Sequence, residues 1–210
     1  MTMAGNPPCV FVVDDDLSFR RSLVRLLASH GFETAAFDSA ASFLKEAPAF
    51  RAGCIVLDVH MPGLSGLRLQ EALAEIDCRM PIIFLTGHGD IPMSVQAMRK
   101  GAVDFLTKPV DEGTLLEAIR KGLEESRRRD EQRAQIEDVR ARMRTLTERE
   151  HEVMRHVIAG KLNKQIGGDL GIVEKTIKVH RARVMAKMGV HSVADLVRLC
   201  AFAGVEPAGK

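Results

Sequence analysis

Short apolar runs alternate with amphipathic stretches through the first 125 residues, and this alternation restricts the possible folds more than any other feature of the chain. Four of the five runs are almost continuously apolar, as strands buried on both faces of a sheet are. The runs cover residues 9–13, 32–37, 54–57, 82–85 and 103–106. Helix-like segments follow them near 18–30, 40–47, 65–77, 91–100 and 111–125. Five strand–helix repeats predict an α/β domain with a doubly wound, five-stranded parallel sheet and right-handed crossovers.

A charged segment separates this region from the rest of the chain. Residues 124–145 are dominated by charged side chains and contain neither glycine nor proline. Ile136, Val139 and Met143 form a single apolar stripe at helical spacing, which is too short for a coiled coil. We therefore predict a largely exposed helical linker at 124–145, between a domain at 1–123 and a second domain at 146–210.

The second domain is helical in pattern throughout. Thr147 and Glu150 form a capping box at the start of its first helix, and Asn163 and Ser192 are candidate caps of two others. Glycines separate predicted helices at about 147–159, 163–170, 174–188 and 192–202. Four helices in so short a segment predict a small helix-turn-helix domain.

The two regions differ in charge, although the whole chain has a net charge of only +2. Residues 1–125 contain 12 Lys and Arg against 17 Asp and Glu, whereas residues 126–210 contain 18 against 11. A basic half is a candidate nucleic-acid binder. No apolar run reaches about 18 residues, and the first residues lack the basic start and apolar stretch of a signal peptide. We therefore expect a cytoplasmic protein without a membrane partner.

Polar residues interrupt the apolar runs at the points where the predicted strands end. Asp14 and Asp15 follow the first strand, Asp58 follows the third, Thr86 ends the fourth and Lys108 lies just beyond the fifth. Open α/β sheets bind ligands at the carboxyl ends of their strands, where these side chains should meet. Carboxylate ligands suit Mg²⁺, while a lysine and a hydroxyl complement phosphate oxygens. The set predicts an aspartyl-phosphate site.

Each of these residues also has an ordinary explanation when it is taken alone. A single aspartate after a strand is usually a turn or cap residue, and we assign Asp16 to the N-terminal cap of the first helix. Four strand ends with the required chemistry are much harder to explain in this way. We therefore prefer the phosphoryl site for the set.

The helix predicted at 174–188 has two distinct faces. Ile177, Val184 and Met188 fall together and should pack inward. The outward face contains Lys175, Lys178, Val179, Ala182 and Arg183. Such a basic face on the second helix of the motif favours major-groove binding, because lysines bind phosphates or guanine edges and small apolar side chains contact thymine methyls. A merely solvated basic surface is the alternative.

Five segments contain motifs whose order and spacing can be compared with known families. They are VVDDD (12–16), LDVHMPGLSG (57–66), LTGHGDIPMSVQAMRKGAVDFLTKP (85–109), LTEREHEVMRHVIAGKLNKQI (146–166) and TIKVHRARVMAKMGVHSVADLVRL (176–199). Together they resemble two-component response regulators of the FixJ/NarL family, in particular its FixJ/StyR branch, along essentially the whole chain. The resemblance implies a CheY-like receiver domain followed by a LuxR-type helix-turn-helix domain.

The resemblance also implies roles for the acidic site. Asp58 is the implied phosphoacceptor, and Thr86 and Lys108 are implied to bind the phosphoryl group. The implied ligands of Mg²⁺ are Asp15, Asp14 through water, Asp58 and the backbone carbonyl of His60.

Phosphorylation is implied to change the conformation of the receiver. Phe105 is the implied switch aromatic, which moves together with Thr86, and a plain core aromatic is the alternative for it. The movement remodels the face formed by the helix at 91–101, the fifth strand and the helix from 111. The Lys108–Pro109 peptide bond is expected to be cis.

For the second domain, the resemblance implies base contacts mainly from Lys178, Val179 and Ala182. It also implies that Lys164, Thr176 and their neighbours contact DNA phosphates. The helix at 192–202 is implied to pair two subunits on DNA. The implied partners are a cognate sensor histidine kinase, promoter DNA, RNA polymerase and, on phosphorylation, a second copy of the chain. The protein is then not an enzyme, apart from catalysing its own phosphotransfer and slow dephosphorylation.

Two other functions are compatible with parts of the sequence. One is a Mg²⁺-dependent phosphatase with an aspartyl-phosphate, but such hydrolases usually have a second acid where this chain has His60. The other is a regulator that binds DNA without phosphorylation, which leaves the acidic site unexplained.

Two features depart from the LuxR-type pattern. Val173 stands where that family usually has a Ser or Thr cap, whose loss costs about 1 kcal/mol. Gly167 and Gly168 replace better helix formers, at up to about 1 kcal/mol each. We therefore expect a somewhat loose DNA-binding domain.

Overall fold

A computed structural model describes residues 8–46, 52–87 and 91–209, and the chain divides into two units between Asp130 and Glu131. The strands are β1 (Cys9–Val13), β2 (Glu33–Phe37), β3 (Gly53–Asp58), β4 (Ile82–Thr86) and β5 (Asp104–Thr107). The helices between them are α1 (Leu17–Ser29), α2 (Ala40–Glu46), α3 (Gly66–Glu75) and α4 (Ile91–Arg99). The bounds of these nine strands and helices were predicted to within two residues. The predicted end of α2, at residue 47, lies outside the described residues.

The five strands form one parallel sheet in the order β2-β1-β3-β4-β5, which confirms the predicted doubly wound fold. Along β1, Phe11 and Val13 face one buried apolar cluster, whereas Val10 and Val12 face another. Both faces are covered because side chains alternate along a strand and helices pack on each side. The strand order reverses between β1 and β3, so a crevice opens at their carboxyl ends.

The helix predicted after β5 and the predicted helical linker form one continuous helix. Helix α5 (Glu112–Arg144) includes the whole charged segment up to residue 144, since nothing after residue 122 breaks it. Buried Ser126 accepts a 3.0 Å hydrogen bond from the backbone N–H of Gly53 in the first unit, and Val139 is buried in the core of the second. Residues predicted as linker thus also pack in each unit. Within the described ranges, no helix is long and apolar enough to cross a membrane.

The second unit contains α6 (Glu148–Ile158), α7 (Asn163–Leu170), α8 (Glu174–Met188) and α9 (Val193–Phe202). The predicted capping box is present: Thr147 N–H donates to Glu150 at 2.9 Å, and Glu150 N–H donates to Thr147 Oγ1 at 3.2 Å. The buried Glu150 carboxylate also accepts a 2.6 Å hydrogen bond from Lys187. That bond is the main reason why the pKa of Glu150 is lowered. The cap thereby also links α6 to α8.

The start of α7 differs from the prediction. Leu162 occupies the N-cap position, and its N–H donates to Gln165 Oε1 at 2.8 Å. Asn163 is the first helical residue, and its Oδ1 accepts a 3.0 Å hydrogen bond from Arg181 of α8. The prediction that Asn163 caps this helix is therefore wrong, because its side chain joins α7 to α8 instead.

The two adjacent glycines of α7 have different surroundings. A Cβ atom on Gly167 would lie 2.7 Å from the carbonyl oxygen of Ile172, so the close approach of the α7–α8 turn requires glycine. A Cβ atom on Gly168 would meet nothing within 4 Å. Of the two, only Gly168 can therefore be replaced by a residue of higher helix propensity without a clash.

We expect Gly168→Ala to raise the free energy of unfolding of the second unit by about 1 kcal/mol, because alanine has the higher helix propensity and the site is open. Gly167→Ala should lower it by a larger amount through the clash with Ile172. Native-state amide hydrogen exchange of α6 to α8 in the full chain measures both effects. Equal shifts from the two variants would contradict the distinction.

Candidate functional site

Three side chains meet at the carboxyl edge of the sheet, one at the end of β3 and two just beyond β1 and β5. Lys108 Nζ lies 2.6 Å from Asp14 Oδ2 and 2.7 Å from Asp58 Oδ1. Asp14 and Asp58 are buried, with 2% and 5% of their surface exposed. One ammonium group therefore bridges two carboxylates on neighbouring strands. The structure brings together the residues proposed as acceptor, as a metal ligand and as the phosphoryl-binding lysine.

The loop between β1 and α1 is held by its own aspartates. Asp14 Oδ1 accepts a 2.9 Å hydrogen bond from Asp16 N–H. Asp16 in turn caps α1 by accepting from Ser18 and Phe19 N–H at 2.8 and 3.1 Å, which confirms its predicted role. Arg20 donates to the carbonyl oxygen of Asp14 at 2.5 Å. These local contacts fix the direction of the Asp14 side chain.

The loop after β3 folds tightly around Asp58. Asp58 Oδ2 accepts a 2.8 Å hydrogen bond from His60 N–H, and Gly66 N–H donates to the carbonyl of Val59 at 3.1 Å. A Cβ atom on Gly66 would lie 2.3 Å from the Asp58 carbonyl oxygen, so only glycine permits this approach. The glycine that follows Ser65 is thus required by the position of Asp58.

The remaining residues predicted for this site lie around its rim. Buried Thr86 ends β4, and its Oγ1 is 3.4 Å from Nδ1 of the exposed His60. Phe105 is half-buried and its ring centroid lies 5.9 Å from that of Phe84. This contact fits a core aromatic, and the switch role of Phe105 stays a prediction. The peptide bond before Pro109 is cis, as expected.

Burial and pairing act on the charges of the site in opposite directions. Burial raises the pKa of Asp14 and outweighs the hydrogen bond from Lys108, which lowers it. Burial alone would lower the pKa of Lys108, but its hydrogen bonds to Asp14 and Asp58 outweigh burial and raise it. The lysine therefore stays protonated at neutral pH. Two carboxyl groups share this one ammonium, so a further cation can balance the cluster.

The oxygens of this cluster fit a magnesium ion that shares its ligands with water and phosphate. Each oxygen of Asp14 and Asp58 accepts one hydrogen bond from the protein and has a further lone pair. Exposed Asp15 adjoins Asp14 in the same loop. Among the described residues, no three His, Cys, Asp or Glu side chains are close enough to hold a metal by themselves. Mg²⁺ is usually bound by one or two carboxylates with waters and phosphate oxygens, so the donors suit it.

One residue at this site was not predicted from the sequence. The ring centroid of Phe19 lies 4.2 Å from Lys108 Nζ. Its sequence context marks Phe19 only as an apolar residue in the first turn of a helix. A sequence signal for this role exists: Phe19 lies three residues after the helix cap Asp16, in the first turn of α1. That turn adjoins the loop that contains Asp14.

The second candidate surface is the outer face of α8. Ile177, Val184 and Met188 are completely buried in the core of the second unit, as predicted. The predicted outward residues Lys175, Lys178, Val179, Ala182 and Arg183 are all exposed. Lys164 on α7 is also exposed, whereas Thr176 and His180 are half-buried. A continuous basic and apolar face is therefore available on this helix.

The beginning of α8 has two features that bear on binding. Val173 is the N-cap residue, makes no side-chain cap hydrogen bond and is exposed. Glu174, one residue later, lies with its Oε1 3.2 Å from Lys178 Nζ. The outward face thus contains one acidic side chain, and it is paired with a lysine predicted to contact bases.

Comparisons with known proteins match both units. The model of the response regulator receiver domain matches residues 10–120, and that of the bacterial regulatory proteins of the luxR family matches residues 144–200. Nodulation protein W of Bradyrhizobium diazoefficiens is 46% identical over 97% of this chain and 90% of its own length. The response regulator StyR has a solved structure with a TM-score of 0.82 and 48% identity, over 93% of this chain and 99% of that one. The structure of full-length FixJ from B. japonicum has a TM-score of 0.57 and 42% identity, over 94% of this chain and 97% of that chain.

Proposed function

The chain belongs to the FixJ/NarL family of two-component response regulators, which join a receiver domain to a LuxR-type DNA-binding domain, and on this basis we propose a transcription regulator switched by phosphorylation of Asp58. A sensor histidine kinase donates the phosphoryl group. The phosphorylated receiver then dimerises, and the second unit binds promoter DNA, where RNA polymerase is a further partner. The bridge of Lys108 between Asp14 and Asp58 is the observation that best supports this proposal.

In the proposed transfer, a carboxylate oxygen of Asp58 attacks the phosphorus of a phosphohistidine. An O–P bond forms while the N–P bond of the donor breaks, and the histidine nitrogen leaves with the electron pair. Lys108 and the hydroxyl of Thr86 then donate hydrogen bonds to phosphoryl oxygens, which stabilises charge that develops in the transition state. The family consists of transcription regulators rather than classical enzymes, so we restrict this catalysis to the protein's own acceptor.

We propose that Asp15, Asp58 and the carbonyl of His60 hold Mg²⁺ during this step, with Asp14 acting through water. When bound, the ion supplies positive charge beside the phosphoryl oxygens. The protein contributes the geometry, because both buried carboxylates are already held by hydrogen bonds from Asp16 and His60 N–H.

The surface of α4 supports dimerisation as the response. Ile91, Val95 and Met98 are 77%, 44% and 45% exposed and lie at helical spacing on one face. An exposed apolar stripe of this kind favours burial against another protein surface. We propose that movement of Thr86 and Phe105 makes this face competent to pair with a second copy. Val197 and Phe202, which are exposed on α9, support the proposed pairing of the DNA-binding units.

The outer face of α8 supports DNA as the ligand of the second unit. We propose that Lys178, Val179 and Ala182 contact base edges in the major groove, since all three are exposed on one face. The proposed phosphate contacts are Lys164, Lys175, Thr176 and Arg183. Phosphate contacts supply affinity and base contacts supply specificity, so the two sets are separable by mutation.

Molecular mass by light scattering, with and without acetyl phosphate and Mg²⁺, tests the proposed switch. Wild type should change from monomer to dimer when both are added, and Asp58→Asn should not change. Val95→Asp should take up the phosphoryl group but remain monomeric, because the charge lies on the exposed stripe of α4. A wild type whose mass does not respond, or an Asp58→Asn variant that still dimerises, would contradict the proposal.

A further inference from the structure

Among the residues that the structure describes, three groups contact the ammonium of Lys108. Two are the carboxylates of Asp14 and Asp58, which accept hydrogen bonds at 2.6 and 2.7 Å. The third is the ring of Phe19, whose centroid is 4.2 Å from Nζ. This distance lies well within the range of about 6 Å for a cation over an aromatic face. The aromatic face therefore provides a third attractive contact for the ammonium.

The position of the Phe19 ring is set by the residues around it. Its N–H is one of the two that Asp16 caps, so the first turn of α1 is fixed relative to the loop with Asp14. The side chain is half-buried and packs against the apolar cluster that contains Leu23 and Leu115. The ring is thus held by the cap on one side and by the core on the other.

We propose that Phe19 is a positioning residue that keeps the ammonium of Lys108 in place during phosphorylation of Asp58. The inference rests on the proposed function. It goes beyond that function because it adds an aromatic residue of α1 to a site otherwise made of strand-end residues. Phe19 acts through Lys108 and does not touch the reacting atoms.

The need for such a contact follows from the exchange of partners that phosphorylation requires. Before the reaction, one N–H of Lys108 points to Asp58 Oδ1. When an oxygen of Asp58 becomes bonded to phosphorus, the lysine must redirect that N–H to a phosphoryl oxygen. A hydrogen bond is directional and is lost during the exchange. Attraction to the ring face does not depend on that hydrogen bond, so it matters most to the position of the ammonium when the bond to Asp58 is broken, and its loss affects the transition state more than the resting state.

An ordinary packing role is the alternative for Phe19, and the chain provides a matched control for it. Phe32 is also half-buried and packs against the same apolar cluster, but it precedes β2, at the opposite edge of the sheet from Lys108. Phe32→Leu therefore removes a ring from the same cluster without affecting the ammonium. Phe19→Leu keeps apolar bulk and removes the aromatic face, whereas Phe19→Tyr retains that face.

The test is the rate of phosphoryl incorporation from acetyl phosphate with saturating Mg²⁺, followed by intact-protein mass spectrometry on the full chain. We expect Phe19→Leu to be slowed about three- to tenfold, in keeping with the loss of one cation–π contact. Phe19→Tyr and Phe32→Leu should stay within about twofold of wild type. Thermal unfolding of the same proteins compares their stability.

Three outcomes would overturn the inference. The first is a Phe19→Leu rate equal to that of wild type. The second is a Phe19→Tyr rate as slow as that of Phe19→Leu, since the aromatic face would then be irrelevant. The third is equal slowing by Phe19→Leu and Phe32→Leu, which would assign the effect to packing. If wild type itself incorporates no phosphoryl group, the proposed function and this inference both fail. If wild type incorporates it and one of the three outcomes is seen, only this inference fails.

Discussion

Replacement of Asp58 by asparagine is expected to reduce phosphoryl incorporation from acetyl phosphate by more than about a hundredfold, to below detection. The amide has no anionic oxygen to attack phosphorus, and it also removes a charge that pairs with Lys108 at 2.7 Å. The change is otherwise small, because asparagine has nearly the same shape as aspartate. Intact-protein mass spectrometry measures the incorporated group, and peptide mapping identifies the modified residue.

Asp77→Asn is the matched control for this prediction. Asp77 is exposed, pairs only with Arg79 among the described ion pairs and lies in the loop before β4. Its φ of 52° is in the left-handed region, which asparagine adopts as readily as aspartate. The control should therefore incorporate phosphoryl at the wild-type rate. Wild-type labelling of Asp58→Asn, or a map that places the group on another aspartate, would contradict the assignment of Asp58.

Lys178→Ala is expected to weaken binding to a preferred DNA site about 5- to 150-fold, which corresponds to about 1–3 kcal/mol for a base contact. It should weaken binding to unrelated DNA much less. The exposed Lys178 side chain lies on the outward face of α8 and pairs with Glu174 at 3.2 Å. Its removal therefore also leaves an unpaired carboxylate facing the DNA.

Lys175→Ala is the contrasting variant, because we propose a phosphate contact for Lys175. It should weaken binding to all sequences alike and reduce the salt dependence of affinity by about one unit of slope. Fluorescence anisotropy on a site selected by wild type from random DNA, and on an unrelated duplex, separates the two patterns. Lys45→Ala, at the exposed end of α2, controls for the loss of one positive charge. Equal loss on both duplexes for Lys178→Ala would contradict base recognition.

Predictions that depend on neighbouring residues in the chain agree with the structure. The strands were predictable because each is a short apolar run between turn residues, and parallel strands alternate with helices. The caps by Asp16 and Thr147 were predictable because their partners lie within three residues. Asn163 was assigned wrongly for the opposite reason. Its partner Arg181 is 18 residues away and belongs to another helix.

Glycines show the same limit on inference from sequence. The adjacent glycines 167 and 168 look equivalent in sequence, and both were expected only to weaken a helix. The structure separates them, because the carbonyl oxygen of Ile172 approaches the first and nothing approaches the second. Close approach between segments depends on how two helices and their turn pack, and no local pattern records it.

The sequence by itself determined the fold class, the polar residues at four of the five strand ends and the inward and outward faces of α8. It could do so because hydrophobic periodicity and capping are local, and because parallel strands end at one edge of a sheet. Tertiary structure decided which of these groups touch. Lys108 meets Asp14 and Asp58 across 94 and 50 residues of chain, and the ring of Phe19 lies against the same ammonium. Such contacts arise only when strands and helices distant in sequence pack together, since side-chain direction and distance depend on the whole sheet.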